Sequence, residues 1–369
     1  VFHLYGFEPL QTPVLELRET LYGKYGEDAE KLIFQAQHPG GKEELALRYD
    51  LTVPLARVVA QHENEITLPF KRYQLSPVWR GERPQRGRYR EFYQCDADIV
   101  GVESMAADAE IVSLVTTALR RLGFTQFSVK VNNRKLLTAM GEYSGVPAEQ
   151  QADLYRSVDK FDKIGADGVR DELVQRGIAP EAVTRMMALL IGHGQGLERL
   201  DFLDDMMGTL PAAREGLNEL RDLAAHLEAA NVPQQFVDFD FTMVRGLGYY
   251  TGPIFETVIT EPNLGSITGG GRYDGLIGLF RKESLPTTGT SLGIERIIDL
   301  MDELNLYPAH ISGTVVEALV TVFDESARAY ATGIAADLRA AGIRTELILQ
   351  DRKLAQQFKT AQRRGRLVP

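Results

Sequence analysis

A cluster of arginines is the strongest chemical signal in this sequence. Five arginines lie between Arg80 and Arg90, in a chain of 369 residues whose formal net charge is −10. Gly81, Pro84 and Gly87 lie among them, and strand-prone aromatic residues follow, which predicts a strand, a loop and a returning strand. A solvated charged hairpin is the alternative, but interleaved aromatic residues argue against it. Because guanidinium groups bind phosphate oxygens through two parallel hydrogen bonds, the pattern favours a polyphosphate site.

Two glycine-rich segments could let a ligand approach the backbone closely. One contains Arg245 and the pair Tyr249-Tyr250, and the other places three glycines directly before Arg272 and Tyr273. Neither is a P-loop, because no Lys-Ser or Lys-Thr opening a helix follows the glycines. Glycine within a strand typically marks close approach of backbone or ligand, so both segments are candidate ligand contacts.

These segments carry a resemblance to a known family. Residues 80–98 resemble motif 2 of the class II aminoacyl-tRNA synthetases in its histidyl form, and residues 292–297 resemble motif 3. Residues 244–252 and 269–275 resemble the two signatures of the histidyl-tRNA synthetase family. The resemblance runs over essentially the whole chain. It implies a histidine–tRNA ligase, which forms histidyl-adenylate from histidine and ATP and then transfers histidine to the 3′ end of tRNA(His).

The resemblance implies an ATP-binding set in and after the arginine cluster. Arg80 would bind the α-phosphate as a catalytic residue, Arg88 the triphosphate and Arg296 the distal phosphates. Glu82 would contact the adenine amino group and Phe92 would stack on the base, although a salt bridge for Glu82 and core packing for Phe92 remain open. Mg²⁺ would arrive with ATP as a substrate complex. No structural metal is expected, because the histidines and the one cysteine lack metal-ligand spacing.

A histidine-binding set follows from the same resemblance. It needs partners for an α-ammonium and for two imidazole nitrogens. Arg245 would contact both the α-phosphate and the histidine carboxylate, as the second catalytic residue. The residue before the tyrosine pair is Gly248 where the family usually has aspartate, so a carboxylate that could orient Arg245 is missing. The ammonium positions are Asp50, Thr52 and Gln94, and the imidazole positions are Asp98, Tyr250 and Tyr273, with Tyr249 in a supporting role or simply in the core.

The fold class expected is α/β (α+β), with a class II antiparallel catalytic sheet, a helical insertion and a partial α/β anticodon-binding domain. The change from mixed strands and helices to consecutive helices, and back again, sets the predicted boundaries. Both ends of the chain are expected to be cut relative to the parent protein. The predicted parts are a first catalytic segment at 1–147, the insertion at 148–234, a second catalytic segment at 235–306 and the incomplete anticodon-binding domain at 313–369. Within this last domain, strands are predicted at Val315–Phe323, at Ile343–Gln350 and from Arg366 onward.

The composition indicates where in the cell the protein is expected to be. No apolar run approaches the roughly 20 residues of a membrane-spanning helix, and a single cysteine, Cys95, fits a reducing cytoplasm.

The segment from Gly6 to Glu16 resembles the end of class II motif 1, which implies a homodimer. The basic helix expected from Arg352 to Arg364 could contact tRNA or be a solvated face.

Two other functions are open. The first is a catalytically inactive regulatory paralogue, the histidine-sensing subunit of ATP phosphoribosyltransferase, which Gly248 favours. Retention of Arg80, Arg88, Arg245 and Arg296 favours the enzyme. The second is a plain ATP-binding module that does not bind tRNA.

Overall fold

The structure is a computed structural model that describes residues 1–192, 194, 196–244, 248–308, 311, 314–350 and 352–363. The chain divides into two compact units, Val1–Leu304 and Asn305–Pro369. The strands of the first unit are β1 (Glu8–Pro9), β2 (Leu15–Leu17), β3 (Gln35–Ala36), β4 (Leu45–Leu47), β5 (Phe70–Trp79), β6 (Glu91–Val100), β7 (Ser128–Asn133), β8 (Val237–Phe239), β9 (Pro253–Val258), β10 (Ser266–Arg272) and β11 (Thr287–Gly293). Its helices are α1 (Arg18–Leu21), α2 (Glu27–Glu30), α3 (Thr52–Gln61), α4 (Met105–Arg121), α5 (Arg134–Ser144), α6 (Ala148–Val158), α7 (Phe161–Gln175), α8 (Pro180–Leu190), α9 (Leu197–Met207), α10 (Pro211–Ala229) and α11 (Ile294–Leu304).

An eight-stranded sheet organises the first unit, in the order β1-β5-β6-β11-β10-β9-β7-β8. The two edge pairs, β1 with β5 and β7 with β8, are parallel, and the strands between them pair antiparallel. A separate antiparallel sheet has the order β2-β4-β3. This antiparallel-dominated sheet with helices confirms the expected fold class.

The core of this unit lies between the large sheet and its helices. Helix α4 begins at an N-cap, Ser104, whose hydroxyl accepts from the Ala106 amide, and its face with Ile111, Leu114 and Leu119 is buried. Helix α4 packs on β11, and α10 packs on α4 and α5. The opposite face of the central strands is therefore the one that remains accessible to a ligand.

Five consecutive helices, α6 to α10, occupy residues 148 to 229, and the described part of this stretch contains no strand. Gly165 interrupts α7 with a positive φ of 68°, a conformation that glycine adopts without a steric cost. The helical stretch is what the sequence predicts for the insertion. Its limits as a domain, 148–234, stay a proposal, because Val1–Leu304 forms one compact unit.

The second unit is a small α/β module with strands β12 (Ala318–Val320) and β13 (Thr345–Leu347) and helices α12 (Arg328–Ala340) and α13 (Leu354–Arg363). The two strands are parallel, as strand–helix alternation predicts. The predicted strands Val315–Phe323 and Ile343–Gln350 are wrong in length. Both are reduced to three residues. Beyond Val320, the Val322 amide donates to Gln357 Oε1 and the Val322 carbonyl accepts from Gln357 Nε2, so these groups pair with a side chain and not with a strand, and Phe323 is 75% exposed. The third strand, predicted from Arg366 onward, lies outside the described residues.

Within those same described ranges, no helix combines the length and the apolar character needed to cross a membrane.

Candidate active site

The arginine cluster forms the loop of a long hairpin. Strands β5 and β6 pair from Phe70 with Val100 to Trp79 with Glu91, so the predicted strand, loop and returning strand are confirmed. Arg80 follows β5 directly. Its guanidinium lies between two aromatic rings, 4.3 Å from the centroid of Tyr49 and 5.0 Å from that of Phe92. Its Nε donates to the Tyr49 carbonyl at 3.2 Å, so the side chain is fixed before any ligand binds.

Arg296 approaches the same loop from the start of α11. Its Nε donates to the Gly87 carbonyl at 2.8 Å and its Nη1 to the Ser266 carbonyl at 2.5 Å. Burial lowers the pKa of Arg296, and the nearby positive charges of Arg88 and Arg80 lower it further. Three guanidinium groups therefore share one region. An anion placed between them would relieve this repulsion.

Glu82 lies at the edge of this cationic region. Its carboxylate is 3.5 Å from Arg88 Nη1, which is the salt bridge that the sequence left open as its structural role. The carboxylate also lines the cavity, so the pair does not remove it from ligand contact. Arg88 is 54% exposed at its side chain, which leaves the pair weak and easily rearranged.

Farther along β6 from the arginine loop, the cavity is rich in buried carboxylates, and this part is its carboxylate end. Asp98 is 2% exposed, forms an ion pair with Arg72 at 3.0 Å and accepts the hydroxyl of Tyr273. Asp50 is also buried. Its Oδ1 accepts from Tyr25 Oη at 2.8 Å and from the first amides of α3, so Asp50 caps that helix. Its other oxygen, Oδ2, has no donor among the described residues. Burial raises the pKa of both carboxyls.

Strand β6 supplies Gln94 and Asp98 to the same face, since alternate residues of a strand point to one side. Gln94 Nε2 donates to Ser291 Oγ at 3.0 Å across the β6–β11 pair. This contact fixes the amide so that Gln94 Oε1 remains an acceptor.

Small residues keep the floor of the cavity open. An added Cβ on Gly289 would lie 2.0 Å from Asp98 Oδ1, and one on Gly270 would lie 2.2 Å from the Gly289 carbonyl oxygen. Gly289 of β11 therefore makes room for the Asp98 side chain, and Gly270 of the glycine-rich strand β10 allows close pairing with β11. Tyr249 contacts Tyr250 and Tyr273 with ring centroids 5.0 and 5.7 Å apart, which closes this end with aromatic rings.

Every predicted site residue that the structure describes lines one cavity of about 450 Å³. Arg245 lies outside the described residues. Other polar residues that line the cavity were not predicted, and among them only Asp96 has a signal in the sequence, its alternate position between Gln94 and Asp98. The predicted lining residues are Asp50, Thr52, Arg80, Glu82, Arg88, Phe92, Gln94, Asp98, Tyr249, Tyr250, Tyr273 and Arg296, and the missed ones include Asp96, Glu256, Thr268, Ser291 and Glu295.

A search of the described residues finds no group of three or more histidine, cysteine, aspartate or glutamate side chains placed to hold a metal ion. Cys95 is buried on the other side of β6 from Gln94, and burial raises the pKa of its thiol to about 12. A thiol with this pKa stays protonated at neutral pH, so it is a packing residue.

The antiparallel-dominated sheet with its packed helices is the fold of a class II aminoacyl-tRNA synthetase. Residues 1–297 match the family model described as "Histidyl-tRNA synthetase", and residues 315–367 match the one described as "Anticodon binding domain". The chain belongs to the histidyl-tRNA synthetase family, and its enzyme class is that of the aminoacyl-tRNA ligases.

Individual relatives agree with the family assignment. The chain is 41% identical to a histidine–tRNA ligase of Bacteroides fragilis, over 98% of this chain and 83% of the relative. It is 45% identical to one of Aeropyrum pernix, over 99% of this chain and 82% of the relative. A histidyl-tRNA synthetase structure from Nostoc sp. PCC 7120 is similar with a TM-score of 0.83 and 31% identity, covering 99% of this chain and 83% of that one.

A more distant structure shares the fold alone. It is described as an ATP phosphoribosyltransferase regulatory subunit/histidyl-tRNA synthetase from Bacillus halodurans C. Its TM-score is 0.78 at 23% identity, over 97% of this chain and 88% of that one.

Proposed function

We propose that the cavity binds histidine at its carboxylate end and ATP at its arginine end, and joins them as histidyl-adenylate. A histidine carboxylate oxygen attacks the α-phosphorus, the bond from that phosphorus to the β-phosphate bridging oxygen breaks, and pyrophosphate leaves. In a second step the terminal adenosine hydroxyl of tRNA(His) attacks the activated carbonyl, and AMP leaves. The observation that carries the proposal is the convergence of Arg80, Arg88 and Arg296 on the cavity that also contains Asp50 and Asp98.

The arginines act by fixed position and charge. Negative charge on the α-phosphate oxygens increases as the carboxylate attacks, and donors held in place stabilise that charge without reorganising. Arg80 is the best-placed of them, because two aromatic rings and the Tyr49 carbonyl already hold it. Arg88 and Arg296 would bind the outer phosphates, Phe92 would stack on adenine and Glu82 would accept from the adenine amino group.

The carboxylate end suits a neutral imidazole and an ammonium. Asp98 would accept the ring N–H, and Tyr273 and Tyr250 would contact the ring, while Asp50, Thr52 and Gln94 would hold the ammonium. Tyr249 packs behind them. A pocket that hydrogen-bonds both ring nitrogens rejects apolar side chains of similar size strongly, because its own buried polar groups would be left unpaired.

We expect pyrophosphate exchange into ATP that depends on histidine and on no other common amino acid. The measurement is incorporation of labelled pyrophosphate at saturating MgATP, with each amino acid tested separately. Folding of the chain is checked by circular dichroism. Folded protein that supports no exchange with saturating histidine would remove the enzymatic proposal and favour the regulatory paralogue.

Magnesium is proposed to enter as MgATP. Oxygen ligands suit this ion. Glu82 and Glu256 both line the cavity, and both lie close enough to Arg296 for their negative charge to oppose the lowering of its pKa. Because Glu82 is proposed to accept from the adenine amino group, Glu256 is the carboxylate that we propose to contact the ion or its waters. No structural metal is proposed.

A homodimer is proposed from the motif 1 resemblance and from an apolar surface beside it. Leu15 and Leu17 are 45% and 42% exposed, and they lie on the same face of β2. Exposed leucines grouped near one segment are typical of an interface. Closed two-fold symmetry is also the commonest arrangement of soluble oligomers.

In sedimentation, we expect a species of twice the 41.1 kDa chain mass at micromolar concentration. Leu15→Glu combined with Leu17→Glu should shift it to monomer, because two charges would be buried unpaired. Val174→Glu is the control, since Val174 is 56% exposed on α7 outside this surface. A wild-type monomer, or equal effects of both changes, would contradict the proposed interface.

We further propose a cytoplasmic location and a role in tRNA binding for the second unit. Its basic helix α13 carries Lys359, and Arg352 and Lys353 precede it. Cationic side chains of this kind bind the phosphate backbone with a strong dependence on salt concentration.

A further inference from the structure

Asp96 is a buried carboxylate of the cavity to which the family signatures assign no role. It lies on β6 between Gln94 and Asp98, and the alternation of a strand places all three on one face. Across the sheet Asp96 is in register with Gln74 of β5 and Ser291 of β11. Asp96 is 2% exposed and still lines the cavity.

Three buried oxygens of residues that line this part of the cavity have no donor. Within the part of the chain that the structure describes, Asp50 Oδ2, Gln94 Oε1 and Asp96 Oδ1 accept no hydrogen bond. Their residues are 1%, 8% and 2% exposed, so water does not freely replace the missing partners. Buried acceptors without a donor are rare and costly in folded proteins. Their presence in a binding cavity therefore points to a ligand that donates.

The charges at this end are also out of balance. Arg72 compensates Asp98 directly, with 3.0 Å between Nη2 and Oδ2, and it also donates to the Leu51 carbonyl. Asp50 and Asp96 have no such ion pair among the described residues. Burial is the main cause that raises the pKa of Asp96 to about 7, Arg72 opposes the rise and Asp98 adds to it. A ligand cation would supply the missing charge.

We propose that Asp96 is a histidine-binding residue, whose Oδ1 receives the α-ammonium of histidine together with Asp50 Oδ2 and Gln94 Oε1. An ammonium has three N–H donors and no acceptor, and these three acceptors match it in number. Thr52 then acts by donating its backbone amide to Asp50 Oδ1, which fixes that carboxylate, and it takes no N–H of the ammonium. The inference rests on the proposed function and adds one residue to it. It also gives Ser291 a positioning role, because Ser291 accepts from Gln94 Nε2 and so directs Gln94 Oε1 to the ligand.

The test compares histidine with imidazolepropionate, which has the same ring and carboxylate but no ammonium. Binding of each is measured by titration calorimetry on the complete chain, for the wild type and for Asp96→Asn. Removing the charged partner of a hydrogen bond should weaken histidine binding about 10- to 100-fold. Imidazolepropionate should bind both proteins within about twofold, because it makes no contact that depends on this charge. Cys95→Ala is the matched control, since it alters the same strand on its other face.

Each outcome separates this inference from the proposed function. Wild-type protein that does not bind histidine would contradict the proposed function itself. Wild-type binding with an unchanged histidine affinity in Asp96→Asn, or an equal loss for both ligands, would overturn the role of Asp96 alone. Asp96→Ala repeats the comparison if the asparagine variant does not fold. Failure of both variants to fold would assign Asp96 to the fold and would also overturn the proposal.

Discussion

Replacing Arg245 with alanine is expected to slow adenylate formation by about 100- to 1,000-fold, the usual effect of removing one donor to a developing charge. The expectation comes from the sequence signature, since Arg245 lies outside the described residues. ATP binding should weaken far less, because Arg88 and Arg296 still line the cavity. Single-turnover adenylate formation and ATP titration measure the two effects separately.

Arg245→Lys should restore little of the lost rate, because an ammonium cannot form the planar two-pronged contact of a guanidinium. The competing explanation is that Arg245 holds the fold through a buried ion pair. Melting temperatures of both variants distinguish the two. An unchanged rate, or a loss that matches unfolding in size, would remove Arg245 from the catalytic residues.

Replacing Arg72 with methionine is expected to lower the free energy of unfolding by about 3–5 kcal/mol, because it leaves the buried Asp98 carboxylate without its counter-charge. Arg72 is fully buried, and it bridges Asp98 and the Leu51 carbonyl. Arg72 also opposes the rise in the pKa of Asp98, so the variant should favour protonated Asp98. The affinity for histidine should fall together with the free energy of unfolding. Urea unfolding and histidine titration measure the two losses.

The adjacent Lys71→Met is the control for this prediction. Lys71 pairs with Glu110 at 2.5 Å, but the two side chains are 27% and 31% exposed. Losing this pair should lower the free energy of unfolding by under about 1 kcal/mol, as for other solvent-accessible pairs. The double change Arg72→Met with Asp98→Asn should recover part of the stability, because no buried charge remains unpaired. Equal costs for Arg72→Met and Lys71→Met would contradict the importance of the buried pair.

Local patterns predicted the elements that carry most of the site. The arginine loop between two strands is visible in the sequence, because turn-forming residues separate two strand-prone runs within a short stretch. The large helix α4 is likewise set by its apolar period. The residues assigned by family motifs come from separate segments of the chain, and sheet order brings those segments together at one cavity.

Pairing between strands explains what the sequence could not predict. Arg72 looks like any strand arginine until the register of β5 and β6 places it opposite Asp98. Ser291 gains its role only from the β11 register opposite Asp96 and its contact with Gln94. Asp50 caps α3 with Oδ1 and leaves Oδ2 without a donor among the described residues, and the sequence does not show how the two oxygens are used.

Strand length in the second unit was the clearest error. The apolar run from Val315 to Phe323 predicted a nine-residue strand, but only Ala318–Val320 pairs with β13. An apolar run gives the tendency to be extended, whereas the length of a strand depends on how much of a neighbour is available for pairing.

The proposed arrangement of histidine and ATP in the cavity can be tested by a crystal structure with a non-hydrolysable histidyl-adenylate analogue, in which a sulfamoyl group replaces the phosphate. We expect the imidazole at Asp98 and Tyr273, the ammonium at Asp50, Gln94 and Asp96, and the sulfamoyl group at Arg80. The adenine should stack on Phe92. An analogue bound in the reverse orientation, or outside the cavity lined by these residues, would show that the proposed arrangement is wrong.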